Sequence, residues 1–206
     1  MKIAMIMLAA GNSRRFGANK LLYEVNGMPM YRHVLGQLIQ VKNHLKESIR
    51  CEIAVITQYD TIAETVKEQG IQVLYNRHPE QGISSSLKIG LDANLDADAV
   101  LFTVSDQPWL TSETIYELLQ AFLESKKAAA CVSYQDKMGN PCIFSRKYYG
   151  ELLALEGDKG GKKVLIKHLE DTCIYEVKNA RELKDIDYCR RKLKEFWHKI
   201  VRTLLV

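Results

Sequence analysis

Short, almost uninterrupted apolar runs alternate along the chain with longer stretches in which apolar residues return every three or four positions. The runs at 3–8, 52–57, 71–75, 99–105, 128–133 and 173–177 predict β-strands. Most of them lack apolar/polar alternation, which predicts strands covered on both faces. The stretches at 29–45, 60–69, 84–94 and 111–124 predict helices between them. Pro29 suits a first helical turn, and Thr111 offers an N-cap hydroxyl ahead of Glu113. Strand and helix in alternation predict an α/β fold around a mainly parallel sheet.

A last stretch, 188–205, sets Leu193, Phe196, Trp197, Ile200, Val201, Leu204 and Leu205 at helical spacing among lysines and arginines. It predicts an amphipathic helix whose apolar face packs on the same domain. No repeat and no Pro-, Gly- or Ser-rich linker divides the chain, so one domain over 1–187 is expected, with 188–206 as its C-terminal helix.

Composition narrows the classes. The 206 residues can bury one sizeable core. A formal charge of +4 suits anionic small molecules but is far from the dense basic field of a nucleic-acid binder. The five cysteines are scattered, with no CxxC pair, which predicts reduced thiols and a cytoplasmic setting. The apolar run at the N-terminus is too short to span a membrane and reads as a buried first strand, so no membrane partner is expected. None of the five histidines has metal-ligand spacing.

Ligands of open α/β sheets bind outside the carboxyl ends of the strands, so the chemistry is expected in the loops after Leu8, Tyr75 and Ser105. After Leu8 come Ala9, Ala10 and Gly11, whose small side chains let backbone amides approach a phosphate or base closely. Ser13 follows, and Arg15 and Lys20 bring positive charge to the same loop, enough to orient a triphosphate and neutralise charge at the reacting phosphorus. The spacing is neither a Walker A loop nor GxGxxG. After Ser105, Asp106 stands at a strand end stopped by Pro108, where it serves either as a hard oxygen ligand for Mg²⁺ or as an Asx turn before Thr111. Gly82, Ser84 and Ser86 enter the helix at 84–94 and offer free amides and hydroxyls to a base or ribose, with N-capping by Ser84 as the plainer role.

The stretch from Leu8 to Lys20 resembles the signature L-A-[AG]-G-x-S-x-R-[MF]-G-x-x-K of the MobA-like nucleoside-triphosphate transferases, which include the molybdenum-cofactor cytidylyl- and guanylyltransferases. Leu8, Ala9, Ala10, Gly11, Ser13, Arg15, Phe16, Gly17 and Lys20 match it. The resemblance implies a three-layer, Rossmann-like nucleotidyltransferase fold with a mainly parallel mixed sheet. It implies that Arg15 grips the β- and γ-phosphates, Lys20 stabilises the α-phosphate, and Asp106 of a D-x-P motif holds Mg²⁺. Asp187, in a segment similar to the family's D-I-D, becomes a candidate second metal ligand. Gln107, Asn140 and Asp158 lie in segments similar to its acceptor-side motifs, although Asn140 stands where the family has histidine. The implied reaction moves CMP from CTP to the phosphate of the molybdopterin cofactor with release of pyrophosphate. CTP is favoured over GTP because the guanylyl branch carries two glycines where this chain has Ala10 and Gly11. Two other readings stay open: transfer to a sugar or polyol phosphate, and a non-catalytic carrier that delivers a cofactor to a partner molybdoenzyme.

Overall fold

The computed structural model describes residues 1–12, 16, 19–45 and 49–186. Its elements, in chain order, are β1 (Lys2–Ala9), a short ribbon of β2 (Glu24–Val25) and β3 (Met28–Pro29), α1 (Met30–His44), β4 (Arg50–Thr57), α2 (Asp60–Lys67) and β5 (Gln72–Tyr75). There follow α3 (Ile83–Asp92), β6 (Ala99–Val104), α4 (Ser112–Ser125), β7 (Ala129–Tyr134), β8 (Lys137–Ser145), α5 (Tyr149–Leu153), α6 (Lys162–Lys167) and β9 (Thr172–Glu176). Seven strands form one sheet in the order β5-β4-β1-β6-β8-β7-β9. β8 runs antiparallel to both its neighbours, and every other adjacent pair is parallel. The expected three-layer α/β fold around a mainly parallel mixed sheet is the fold observed.

β1 explains the layering. Ile3, Met5, Met7 and Ala9 face one core with α1, α2 and α4, while Ala4, Ile6 and Leu8 face the other with α3, α5 and α6. A strand buried on both sides must be apolar at every position, which is why alternation is missing from it. From β1 the chain moves outward through β4 to β5 and then crosses back to β6 on the other side of β1. That reversal makes the carboxyl ends of β1 and β6 the switch point at which α/β sheets open a crevice.

Every strand and helix expected within the described residues is present, with ends displaced by a residue or two. Pro29 closes β3 and caps α1 instead of lying inside it. Thr111 caps α4 as expected, its hydroxyl accepting from the Thr114 N–H. Ser84 does not cap α3, because Gly82 holds that position and Ser84 lies one residue inside the helix. The β2–β3 ribbon, β8, α5 and α6 were not foreseen. β8 carries Gly139 and Pro141 in a central strand, a composition that argues against a strand. It is accommodated because the β7–β8 register shifts between Cys131 and Ser133, and β6 pairs only with residues from Cys142 onward. The C-terminal helix expected at 188–206 lies outside the described residues. Cys51, Cys131, Cys142 and Cys173 are free. Burial pushes the Cys51 thiol up to about 12 and that of Cys131 up to about 11, so both are protonated and pack as small hydrophobes.

Two helix glycines separate close packing from intrinsic propensity. A Cβ on Gly90 of α3 would lie 2.6 Å from Ile6 Cγ2, whereas one on Gly36 of α1 would meet nothing within 4 Å. Alanine gains about 1 kcal/mol over glycine in a helix, but overpacking a core costs about 1–3 kcal/mol. Thermal or urea unfolding is expected to show Gly36→Ala more stable than wild type and Gly90→Ala less stable.

Candidate active site

The loop that follows β1 is tied down through its carbonyls. Ser105 Oγ donates to Leu8 O (2.8 Å) and Thr57 Oγ1 to Ala9 O (3.0 Å). Gln58 Nε2 donates to Ala10 O (2.7 Å) and to Asn12 Oδ1 (2.9 Å), and Tyr59 OH donates to Gly11 O (2.7 Å). The ends of β4 and β6 thus set the peptide planes of four consecutive residues, so the loop need not be ordered by a ligand at the moment of binding.

Lys20 reaches the same place from a 3-10 turn, Lys20–Leu22. Asn19 caps that turn by accepting from the Leu21 N–H (3.1 Å), Leu21 is buried, and Phe16 packs edge-on against Tyr23 at 5.5 Å. With its neighbours anchored, Lys20 turns toward the end of β6, where Nζ stands 2.6 Å from Asp106 Oδ2. The side chains of this pair are only 14% and 20% exposed, so water screens their attraction less than it would at an open surface.

These groups line a cleft of about 470 Å³ together with the start of α3. Of the residues singled out in the sequence, Leu8, Ala10, Gly11, Lys20, Gly82, Ser86, Asp106 and Asp158 lie on its wall. Gly82 is there for a steric reason. Its φ is +87°, and a Cβ would fall 2.4 Å from the Gly157 carbonyl and 2.7 Å from Asp158 Oδ1. The Ser84 N–H donates to Gly157 O (3.1 Å), so the 157–158 turn is fastened to the first turn of α3.

Other expected residues stand elsewhere. Ala9 and Ser84 are buried behind the wall. Gln107 is 4% exposed, and its amide nitrogen is taken up by Leu183 O (3.2 Å) and Asp185 Oδ1 (2.8 Å) instead of facing the cleft. Asn140 is not on the wall, although the β6–β8 register carries it toward the Asp106 end of the sheet. Ser13, Arg15, Gly17 and Asp187 lie outside the described residues. Thr57, Gln58, Tyr59 and Asn76 were missed. The end of β4 is also a carboxyl end, and a Thr-Gln-Tyr run closing an apolar strand was the available signal.

Among the described residues, no group of three or more His, Cys, Asp or Glu side chains could hold a metal. Asp106 is a suitable carboxylate beside Lys20, and magnesium commonly takes one or two carboxylates and completes its shell with water and substrate phosphates. The donor set therefore fits a cation that arrives with a polyphosphate.

A buried parallel strand, a small-residue loop with fixed peptide planes, and a lysine beside a carboxylate at the next strand end thus meet in one cleft. Residues 5–172 match the MobA-like NTP transferase domain, and the chain belongs to that family and is a nucleotidyltransferase. It is 28% identical over 184 residues to a protein of Pyrococcus horikoshii named "Probable molybdenum cofactor guanylyltransferase", covering 86% of this chain and 88% of the relative. The fold is shared with Rv0371c of Mycobacterium tuberculosis H37Rv (TM-score 0.74, 23% identity, 99% and 97% of the two chains). It is shared as well with a nucleotidyl transferase of Methanothermobacter thermautotroptrophicus (TM-score 0.74, 21% identity, 98% of each chain).

The carbonyl anchors act through the loop they hold. Removing the side-chain bonds to the Ala10 and Gly11 carbonyls with Gln58→Ala and Tyr59→Phe should weaken nucleoside triphosphate binding about thirtyfold, each of these two hydrogen bonds contributing about 1 kcal/mol. Calorimetric titration reads the affinity, and a melting temperature near that of wild type separates loop ordering from loss of fold.

Proposed function

We propose that the protein transfers a nucleoside monophosphate from a nucleoside triphosphate to the phosphate of a small acceptor of the molybdopterin class. One observation carries this reading: Lys20 and Asp106, 86 residues apart, meet at 2.6 Å on the wall of a cleft floored by the small-residue loop. An acceptor phosphate oxygen attacks the α-phosphorus, the α–β bridging P–O bond breaks, and pyrophosphate leaves with the bonding pair. The acceptor is already ionised at neutral pH, so no general base is required. What the reaction needs is charge neutralisation and alignment of two anions.

In this reading the Ala10–Gly11 backbone receives the polyphosphate, Arg15 grips its β- and γ-phosphates, and Lys20 stabilises charge at the α-phosphate. Asp106 would hold Mg²⁺, with Asp187 as a second ligand, and the cation when bound withdraws charge from the phosphoryl group. Asp158, which lines the cleft next to the Gly157 carbonyl that Ser84 N–H fastens, is read as acceptor-side, with Asn140 toward the same end of the sheet. Gln107 is assigned a supporting part, because its amide is committed to the 183–185 segment.

The donor is read as CTP on Ala10, which lines the cleft where a guanylyl enzyme would carry glycine. Against it stands the name of the archaeal relative, a guanylyltransferase. Pyrophosphate release with molybdopterin and either CTP or GTP decides between them: CTP turning over faster is the expected result, and Ala10→Gly should shift the ratio toward GTP. Faster turnover with GTP by the wild type would reassign the base.

Loss of a charge clamp or metal carboxylate costs on the order of 3 kcal/mol at the transition state, roughly a hundredfold in rate. Lys20→Ala and Asp106→Ala are each expected to lose at least that much kcat/KM while retaining wild-type circular dichroism, and EDTA should abolish turnover. Near-normal rates in either variant would remove its assigned role.

A further inference from the structure

Behind the nucleotide-facing turn lies a buried polar cluster that none of these roles uses. Asn76 follows β5, is 1% exposed, and donates its backbone N–H to Thr57 O (2.8 Å). The orientation of its side-chain amide is fixed by chemistry. The backbone N–H of His78, which can only donate, donates to Asn76 Oδ1 (2.9 Å), so the amide nitrogen must face the other way. There Nδ2 donates to Ser85 Oγ and to Ser86 Oγ, both at 2.8 Å.

Each serine oxygen is thereby an acceptor and keeps one O–H proton to give away. Ser85 gives its proton to Gly82 O (2.8 Å). Ser86 is 5% exposed, lies on the cleft wall, and has no recorded acceptor among the described residues. A buried hydroxyl proton without an acceptor is costly, and the side left to it is the cleft.

We infer that Asn76 is a positioning residue that holds the Ser86 hydroxyl as a hydrogen-bond donor toward an acceptor atom of the bound nucleoside. The inference rests on the nucleotidyltransfer reading of the cleft. Cytosine and guanine both present such atoms, so Ser86 selects for an accepting edge or sugar oxygen at this point and against an N–H edge. Asn76 sets that polarity without touching the ligand.

The test is calorimetric titration of CTP, GTP and inorganic tripolyphosphate into wild type, Ser86→Ala, Asn76→Asp and the double variant, with melting temperatures recorded for each. Ser86→Ala should weaken nucleoside triphosphate binding about tenfold, the effect of one hydrogen bond. Asn76→Asp should weaken it at least as much, because a carboxylate takes up the Ser86 proton. In the Ser86→Ala background Asn76→Asp should add less than twofold, and tripolyphosphate affinity should stay within twofold throughout. Unchanged nucleotide binding in Asn76→Asp overturns the inference. So does a loss that persists without the Ser86 hydroxyl, or that tripolyphosphate shares, since either marks a general charge effect. Should Asn76→Asp not fold, Asn76→Ala is read in the same way, with a smaller loss expected and none overturning the role. Wild-type protein that binds neither CTP nor GTP would overturn the nucleotide reading and this inference with it. Tight wild-type binding that is indifferent to Ser86→Ala overturns the inference alone.

Discussion

Burial of β1 on both faces is the constraint on which the remaining structure depends. Its residues divide between two cores, Met5 and Met7 toward α1 and α4, Ile6 and Leu8 toward α3. A strand so enclosed cannot slip by one residue without exchanging every side chain between the two cores, so register is strongly specified. That register delivers Ala9–Gly11 to the sheet's switch point, and it aligns Leu8 with Val104, next to the end of β6 from which Ser105 and Asp106 emerge.

At that end the structure exchanges one kind of interaction for another. Within the sheet, backbone groups are satisfied by neighbouring strands; one residue beyond it they are satisfied by side chains from the same strands. Ser105, Thr57, Gln58 and Tyr59 take over the role of the ladder and hold the loop carbonyls. The site is thereby rigid where phosphate would be received. The Lys20–Asp106 pair sits in this frame, drawn from segments that neither adjoin in sequence nor share an element. A cation and an anion held together in a partly screened cleft suit a ligand that is a polyanion with its metal, since each partner can exchange its mate for part of the incoming complex.

The opposite wall follows the same economy of small residues and fixed polarity. Gly82 lets the 157–158 turn approach the start of α3, and the Ser84 N–H fastens it there. Below, Asn76 joins the end of β5 to Ser85 and Ser86, so that four strand ends and one helix start are linked by hydrogen bonds before any ligand arrives. Preorganisation of this kind is where electrostatic catalysis gets its advantage, because little is left to reorganise during the reaction.

Much of this was legible in the chain itself. Continuous apolar runs at 3–8, 52–57 and 99–105 marked buried parallel strands, because covering both faces leaves few polar positions. The small residues after Leu8, the lysine at 20 and the aspartate after Ser105 marked loops that the structure brings to one cleft, because strand ends are where an open α/β sheet leaves side chains free to face a ligand. β8 was hidden, since Gly139 and Pro141 deny it a local preference for extended structure and only pairing with β6 and β7 supplies one. Gln107 looked equally available for an acceptor until packing committed its amide to the 183–185 segment. Asn76 carried no signature, and Gln58 and Tyr59 only their place after an apolar strand, because their roles consist of partners distant in sequence or of hydrogen-bond directions that arise only when strand ends meet. Local preference and residue chemistry are written along the chain; which groups face one another, and which of them donates, was decided by the sheet that brought them together.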